Sequence, residues 1–107
     1  MNTKEIGNKL ENYLAELFKE IDSKCRVTKA SGACSQKGDL VLRGFKVEAK
    51  VRDKENCIIN HKVWRKLLKQ LNIYNQEIPL LILQNKYKEI FAVLDIKDLI
   101  RILKERK

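Results

Sequence analysis

Three residues of this chain have types and spacing that could do chemistry together: Asp39, Glu48 and Lys50, set in the stretch KGDLVLRGFKVEAK from Lys37 to Lys50. Two carboxylates and an amine interrupt apolar runs that otherwise read as core strands. If Arg43 and Gly44 form a two-residue hairpin turn, glycine supplies the positive φ such turns need. Leu42 then pairs with Phe45, Leu40 with Val47, and Asp39 falls opposite Glu48. Directly opposed residues share a face, with α-carbons roughly 4.5–5.5 Å apart. Lys50 lies two residues beyond Glu48 and shares that face. Two carboxylates at ~5 Å repel by about 3 kcal/mol at an effective dielectric near 20. A shared proton relieves this, and so does a hard divalent cation, which prefers carboxylate, carbonyl and water oxygens. A cation such as Mg²⁺ polarises a phosphoryl oxygen and lowers the pKa of a bound water. Lys50 would steady the negative charge that develops beside it. The alternative is a solvated strand edge on which Lys50 only neutralises the acids.

The elements that must position these residues follow from periodicity. Leu40, Leu42, Phe45, Val47, Ala49 and Val51 all point away from the charged trio, towards a core, and a slip of one residue would bury the charges. From Thr3 to about Ile21, apolar residues at Ile6, Leu10, Leu14, Leu17, Phe18 and Ile21 predict a helix. Arg26 to Lys29 is a short strand, and SGACSQKG (31–38) a small polar loop. Strands are expected at Asp39–Leu42 and Phe45–Val51. Asn60 suits an N-cap for a helix with Val63, Trp64, Leu67, Leu68, Leu71 and Tyr74 on one side. Lys62, Arg65, Lys66 and Lys69 lie on its other side. IPLLILQ reads as a strand buried on both faces. Asn85-Lys86 suits a turn, and EIFAVL another strand. Asp95 caps a last helix with Ile96, Leu99, Ile100 and Leu103 on one stripe. Phe91 and the Ile100 stripe are expected to pack in the core, with an intersubunit role as the second reading. The order is α-β-β-β-α-β-β-α, an α/β fold with a mixed central sheet flanked by helices.

The chain has 107 residues, the size of one ordinary domain spanning 1–107. No apolar run approaches the ~20 residues of a membrane span, and the amphipathic, acid-bearing start is unlike a secretory signal. Cys25, Cys34 and Cys57 form no CxxC pair, which fits a reduced, cytoplasmic protein. Twenty-three Lys and Arg against fourteen Asp and Glu leave a formal +9. That balance favours a polyanionic partner, nucleic acid or an anionic membrane surface, although a lysine-rich proteome would also produce it.

Gly38-Asp39 followed by Glu48-Ala49-Lys50 resembles the PD-(D/E)XK nuclease signature, with Gly38 in place of the proline. Within that superfamily the chain is most similar to the archaeal-type Holliday junction resolvases. GNKLENYLAELF (7–18) resembles their first helix, whose glutamate joins the metal site; Glu11 matches it. KASGACSQKGDLVL (29–42) resembles their strand, serine-containing loop and catalytic aspartate strand, with Ser31 at the serine. The likeness runs residue by residue through about the first half of the chain, and beyond Lys50 it is only a matching order of elements. The loop before Asp39 is more compact than in the family. The resemblance implies a restriction-endonuclease-like fold and a metal-dependent endodeoxyribonuclease cutting four-way DNA junctions. It implies Glu11, Asp39 and Glu48 as Mg²⁺ ligands with the Ala49 carbonyl, Mn²⁺ as a substitute, and Lys50 and Ser31 as further catalytic residues. It also implies a two-fold homodimer, since a junction needs paired nicks in opposing strands, and a prokaryotic or viral origin.

Other residues carry weaker signals. Lys29, Lys37, Arg52, Lys54, Lys62, Arg65 and Lys66 could track DNA phosphates. Glu11 lies at the edge of an apolar stripe, where a solvated glutamate is the ordinary finding. Ser31 also fits a plain turn former. His61 fits a surface or DNA-contacting residue, and Trp64 fits the core. Cys34 has no histidine beside it to make it a nucleophile. Two rivals stand against the junction reading. One is another small PD-(D/E)XK nuclease of repair, restriction or a mobile element. The other is a non-catalytic nucleic-acid-binding module with structural acids.

Overall fold

The alternating segment from Leu40 to Val51 forms the centre of a mixed five-stranded sheet with the strand order β1-β2-β3-β4-β5. In the structure, a computed structural model, residues 3–28, 40–71 and 76–106 are described, with side chains from Lys9 onward. The elements run α1 (Thr3–Phe18), β1 (Arg26–Val27), β2 (Leu40–Leu42), β3 (Phe45–Val51), α2 (His61–Lys69), β4 (Ile78–Gln84), β5 (Ile90–Val93) and α3 (Ile96–Glu105). This α-β-β-β-α-β-β-α arrangement of a mixed sheet and flanking helices is restriction-endonuclease-like. Asp39, Gly38, Ser31, Lys29, Lys37, Cys34 and Tyr74 lie outside the described residues.

The β2–β3 hairpin has the expected register, Val41 opposite Lys46 and Leu42 opposite Phe45. Gly44 takes the turn with φ +86°, in the left-handed region. β3 and β4 then run parallel from Phe45–Ile78 to Val51–Gln84, which requires a crossover, and α2 supplies it. Asn60 starts that helix: its Oδ1 accepts from the amides of Lys62 (2.9 Å) and Val63 (3.4 Å). Pro79 sits inside β4 at no cost to the ladder. The Ile78 amide donates to the Gly44 carbonyl on the β3 side, so the next amide position faces the other way. There β5 has not begun, because its pairing starts at Leu81.

Alternation along β3 and β4 divides the core into two layers. Leu10, Leu14 and Ala15 of α1 join Cys25, Leu40, Leu42, Val47, Ala49, Leu80 and Ile82 on one face. Burying each of the larger side chains contributes roughly 1.5–3 kcal/mol. On the other face Leu67 of α2 meets Leu81 and Leu83, with Val63, Trp64, Cys57 and Val93 half-buried around them. Trp64 is thus a core-edge residue, as its position on the helix stripe suggests.

Several expectations fail. α2 ends at Lys69, short of Leu71 on its expected stripe, and Leu68 is exposed. α1 ends at Phe18, not Ile21: the Glu20 and Ile21 amides turn back to carbonyls three residues earlier, a tightened last turn. That turn leaves Leu17 and Ile21 exposed. The expected core packing of Phe91 and Ile100 is also not found, since each is 46% exposed. Among the described residues β5 is an edge strand with a neighbour on one side only, and α3 buries none of its residues. On the apolar side of that helix Ile96, Ile100 and Leu103 are exposed and Leu99 is only partly covered, although Asp95 caps it as expected, accepting from the Lys97 amide at 2.8 Å. Among the described residues no helix is long and apolar enough to cross a membrane.

Candidate active site and nucleic-acid interface

Because side chains alternate along β3, Val47 and Ala49 go into the α1 layer while Lys46, Glu48 and Lys50 go to the α2 side. Glu48 and Lys50 meet there: Lys50 Nζ lies 3.2 Å from Glu48 Oε1. Both side chains are partly open to solvent, so the pair adds little stability, and its carboxylate and ammonium remain available to a ligand. α2 crosses above them and closes a narrow groove of about 170 Å³. Glu48 and Lys50 line it from β3, and Lys62 and Lys66 line it from α2, one helical turn apart. Three amines around one carboxylate make this a positively charged slot, suited to a phosphodiester.

The other expected residues fall in different places. Glu11 is only 3% exposed, although its place on the helix stripe suggests an ordinary solvated position. It belongs to α1, which packs on the Leu80–Ile82 face of the sheet, whereas Glu48 is in register with Leu81 on the opposite face. A glutamate this buried is rare, and proteins keep one there only for a specific interaction. Ala49 contributes its methyl group to the α1 layer. Among the described residues, no three His, Cys, Asp or Glu side chains gather in a group that could hold a metal ion. Arg52 lies beyond the strand end and lines a second cavity with Lys50. Lys54 is exposed in the loop after β3. Arg65 donates through Nε to His61 Nε2 at 3.2 Å, both on the exposed side of α2.

The residue that fixes the loop after β3 is Asn85, which the sequence marks only as part of a turn. Asn85 is buried, and its side chain bonds on every side. Its Nδ2 donates to the Glu55 carbonyl (3.0 Å) and to Glu89 Oε1 (2.8 Å). Its Oδ1 accepts from the amides of Tyr87 and Glu89, both at 3.0 Å. The Lys86 amide donates to the Lys54 carbonyl nearby, and Tyr87 Oη to Glu55 Oε1. The 52–59 loop, which carries Arg52, is therefore clamped to the β4–β5 turn. Asn85 is legible as a turn former, but its partner thirty residues earlier has no local signal.

No family model, curated relative or solved structure matches this chain. The architecture alone is like that of the PD-(D/E)XK nuclease superfamily.

Proposed function

We propose that this chain is a Mg²⁺-dependent endodeoxyribonuclease that resolves four-way DNA junctions by phosphodiester hydrolysis. The observation that carries the reading is the Glu48–Lys50 pair on β3, set in a groove whose far wall is Lys62 and Lys66. The β2–β3 register is the one on which the sequence pattern pairs Asp39 with Glu48, although Asp39 itself lies outside the described residues. Glu48 offers a partly exposed carboxylate, the donor type a hard cation takes, whereas Glu11 is buried on α1. Asp39, Glu48 and the Ala49 carbonyl are the groups that would hold Mg²⁺ or Mn²⁺; Glu11, carried on the opposite face of the sheet, joins them only through the family resemblance. When bound, such an ion neutralises phosphoryl oxygens and acidifies a water. Lys62 and Lys66 hold the phosphates on either side of the scissile one. Lys50 stands against the non-bridging oxygens and stabilises the charge that grows there. Ser31 precedes this strand pair in sequence and is proposed to contact the same phosphate.

A resolvase must nick two strands related by two-fold symmetry, so the reading includes a homodimer. The apolar residues left open on β5 and α3, including Phe91, Ile96, Ile100 and Leu103, support that assembly. The deciding experiment incubates a synthetic four-way junction and a matched linear duplex with the protein, with and without Mg²⁺. Paired, symmetric nicks in the junction alone, dependent on metal, are expected. Cleavage of the linear duplex at an equal rate moves the protein to another nuclease specificity. Binding without cleavage in Mg²⁺ or Mn²⁺ leaves a DNA-binding module.

A further inference from the structure

Beside the groove, past the end of β3, the sheet and the clamped loop border an open cavity of about 440 Å³ that shares only Lys50 with the phosphodiester reading. Its lining is mostly apolar, with Cys57 and Ile58 from the loop, Val63 from α2, and Leu83 from β4. Lys50 and Arg52 line it as well. Lys50 therefore lines both spaces, the groove on one side and the cavity on the other. The size lies within the range of small-molecule sites, and so does the pattern of apolar walls with a few placed charges. Ile58 is half open to solvent although it is large and apolar, and its neighbour Ile59 is as well.

We propose that this cavity receives an unstacked nucleobase of the bound DNA, next to the phosphate held at Lys50. The inference rests on the DNA-binding part of the proposed function. The base would lie on the Ile58–Val63–Leu83 surface, and its own phosphate would face Arg52. A mostly apolar lining that includes two cations complements a nucleotide, which is a flat, weakly polar ring joined to an anion. Drawing a base out of a continuous duplex costs a few kcal/mol, and least where the base is already unpaired or poorly stacked. The cavity thus gives the site a preference for DNA with disturbed stacking, such as a branch point, flap or bulge, without reading sequence. Asn85 is the positioning residue in this scheme, since it holds the loop that forms one wall.

The test places 2-aminopurine, whose fluorescence rises when it leaves the stack, at the nucleotide beside the branch of a four-way junction. Binding is followed in Ca²⁺ or without metal, so no cleavage is needed, and affinity is read separately by anisotropy. A several-fold rise at saturation is expected, with a much smaller one when the probe sits ten or so base pairs away. Ile58→Ser removes part of the apolar lining at a half-exposed position and should not disturb folding. It should abolish most of the rise and weaken branched-DNA binding by about tenfold, leaving matched duplex binding unchanged. Tight binding with no rise, or a rise that survives Ile58→Ser, overturns the cavity assignment and leaves the nuclease reading standing. A rise that depends on Ile58 in a protein that never cleaves DNA does the reverse. No DNA binding at all removes both.

Discussion

One face of the sheet is closed by α1, and the other is only partly closed by α2. On the first, Leu10, Leu14 and Ala15 lie over Leu40, Leu42, Val47, Ala49, Leu80 and Ile82. On the second, Leu67 covers Leu81 and Leu83, and the rest of the face along β3 is Lys46, Glu48 and Lys50. The same strand serves both, residue by alternate residue. Neighbours in sequence therefore have unlike duties: Val47 and Ala49 hold the fold, while Glu48 and Lys50 are presented to solvent from a backbone the fold has fixed. A charged pair on a central strand is held more rigidly than one on a loop, which is what positioning a phosphate requires.

The sharpest way to break this division is to substitute one residue from each face. Glu48→Gln should lower metal-dependent cleavage by roughly three orders of magnitude, about 4 kcal/mol of transition-state stabilisation, with the melting temperature nearly unchanged. Leu14→Ala should do the opposite. It should cost about 2–5 kcal/mol of stability by denaturant titration, while the remaining folded protein cleaves at the wild-type rate in the cold. If Glu48→Gln destabilises as much as Leu14→Ala, or cuts normally, the faces are not divided in this way.

Asn85 tests whether the open face depends on its loop. Asn85→Ala removes two donors and an acceptor from a buried site and leaves their partners unmatched, which costs about 1–3 kcal/mol. Hydrogen exchange should then quicken in the 52–59 loop and the β4–β5 turn and stay slow in α1. Uniform quickening across α1 would mean that the two faces unfold as one.

Much of this division is legible in the order of residue types. Period-two alternation from Leu40 to Val51 announces the hairpin register, and alternation within β3 alone puts Glu48 and Lys50 on one face. Asn60 and Asp95 announce the starts of α2 and α3, and the unbroken apolar run of β4 announces a strand covered on both sides. The remainder is hidden for physical reasons. Periodicity shows that α3 has an apolar face and says nothing of what covers it, so the stripe alone points Ile100 into a core it does not join. The stripe of α1 runs on to Ile21 in sequence, but the helix closes in a tight turn at Phe18 before Ile21 can reach the sheet. A helical wheel sets Glu11 at a stripe edge, and its burial comes from packing that a wheel does not show. Asn85 draws its role from a loop far away in sequence.

The positive wall of α2 allows a more graded test. Lys62→Gln with Lys66→Gln should weaken junction binding and lower the slope of log affinity against log salt by about 2, since each phosphate contact contributes roughly 0.9. Arg65, hydrogen-bonded to His61 on the outer side of the helix, should change the slope less when replaced by Gln. Equal effects from Arg65 and from the lysine pair would mean that the DNA follows the outside of α2 rather than the groove.

Smaller still is the expected effect of Ile100→Ser on folding. Ile100 is half exposed, so the change should alter monomer stability by no more than about 0.5 kcal/mol. Its consequence should appear in sedimentation, as a shift from dimer towards monomer at micromolar concentration. A dimer unaffected by Ile100→Ser and by Phe91→Ser together would place the interface elsewhere.

The smallest effect joins the two faces at their shared end. Asp22, in the turn after α1, accepts through Oδ2 from the Arg43 amide at 3.0 Å and through Oδ1 from the Lys24 amide at 3.1 Å. The first of these bonds ties the α1 layer to the turn of the hairpin that presents Glu48. Both bonds favour the carboxylate form, so the Asp22 pKa lies below its ordinary value, with the Arg43 amide the largest cause and the Lys24 amide next. A group with a depressed folded pKa contributes stability that is fully present above its unfolded pKa, near 3.9. That contribution is lost as pH falls through the lower folded value. Asp22→Asn keeps the shape but offers one acceptor where the carboxylate offers two, and turns an amide group towards a donor. Its melting temperature should sit slightly below wild type at pH 6, and the gap should narrow steadily as pH falls below about 4. A gap that stays constant from pH 6 to pH 3 would show that the carboxylate charge has no part in holding the hairpin to α1, and that Gly44 and the strand register fix the turn by themselves.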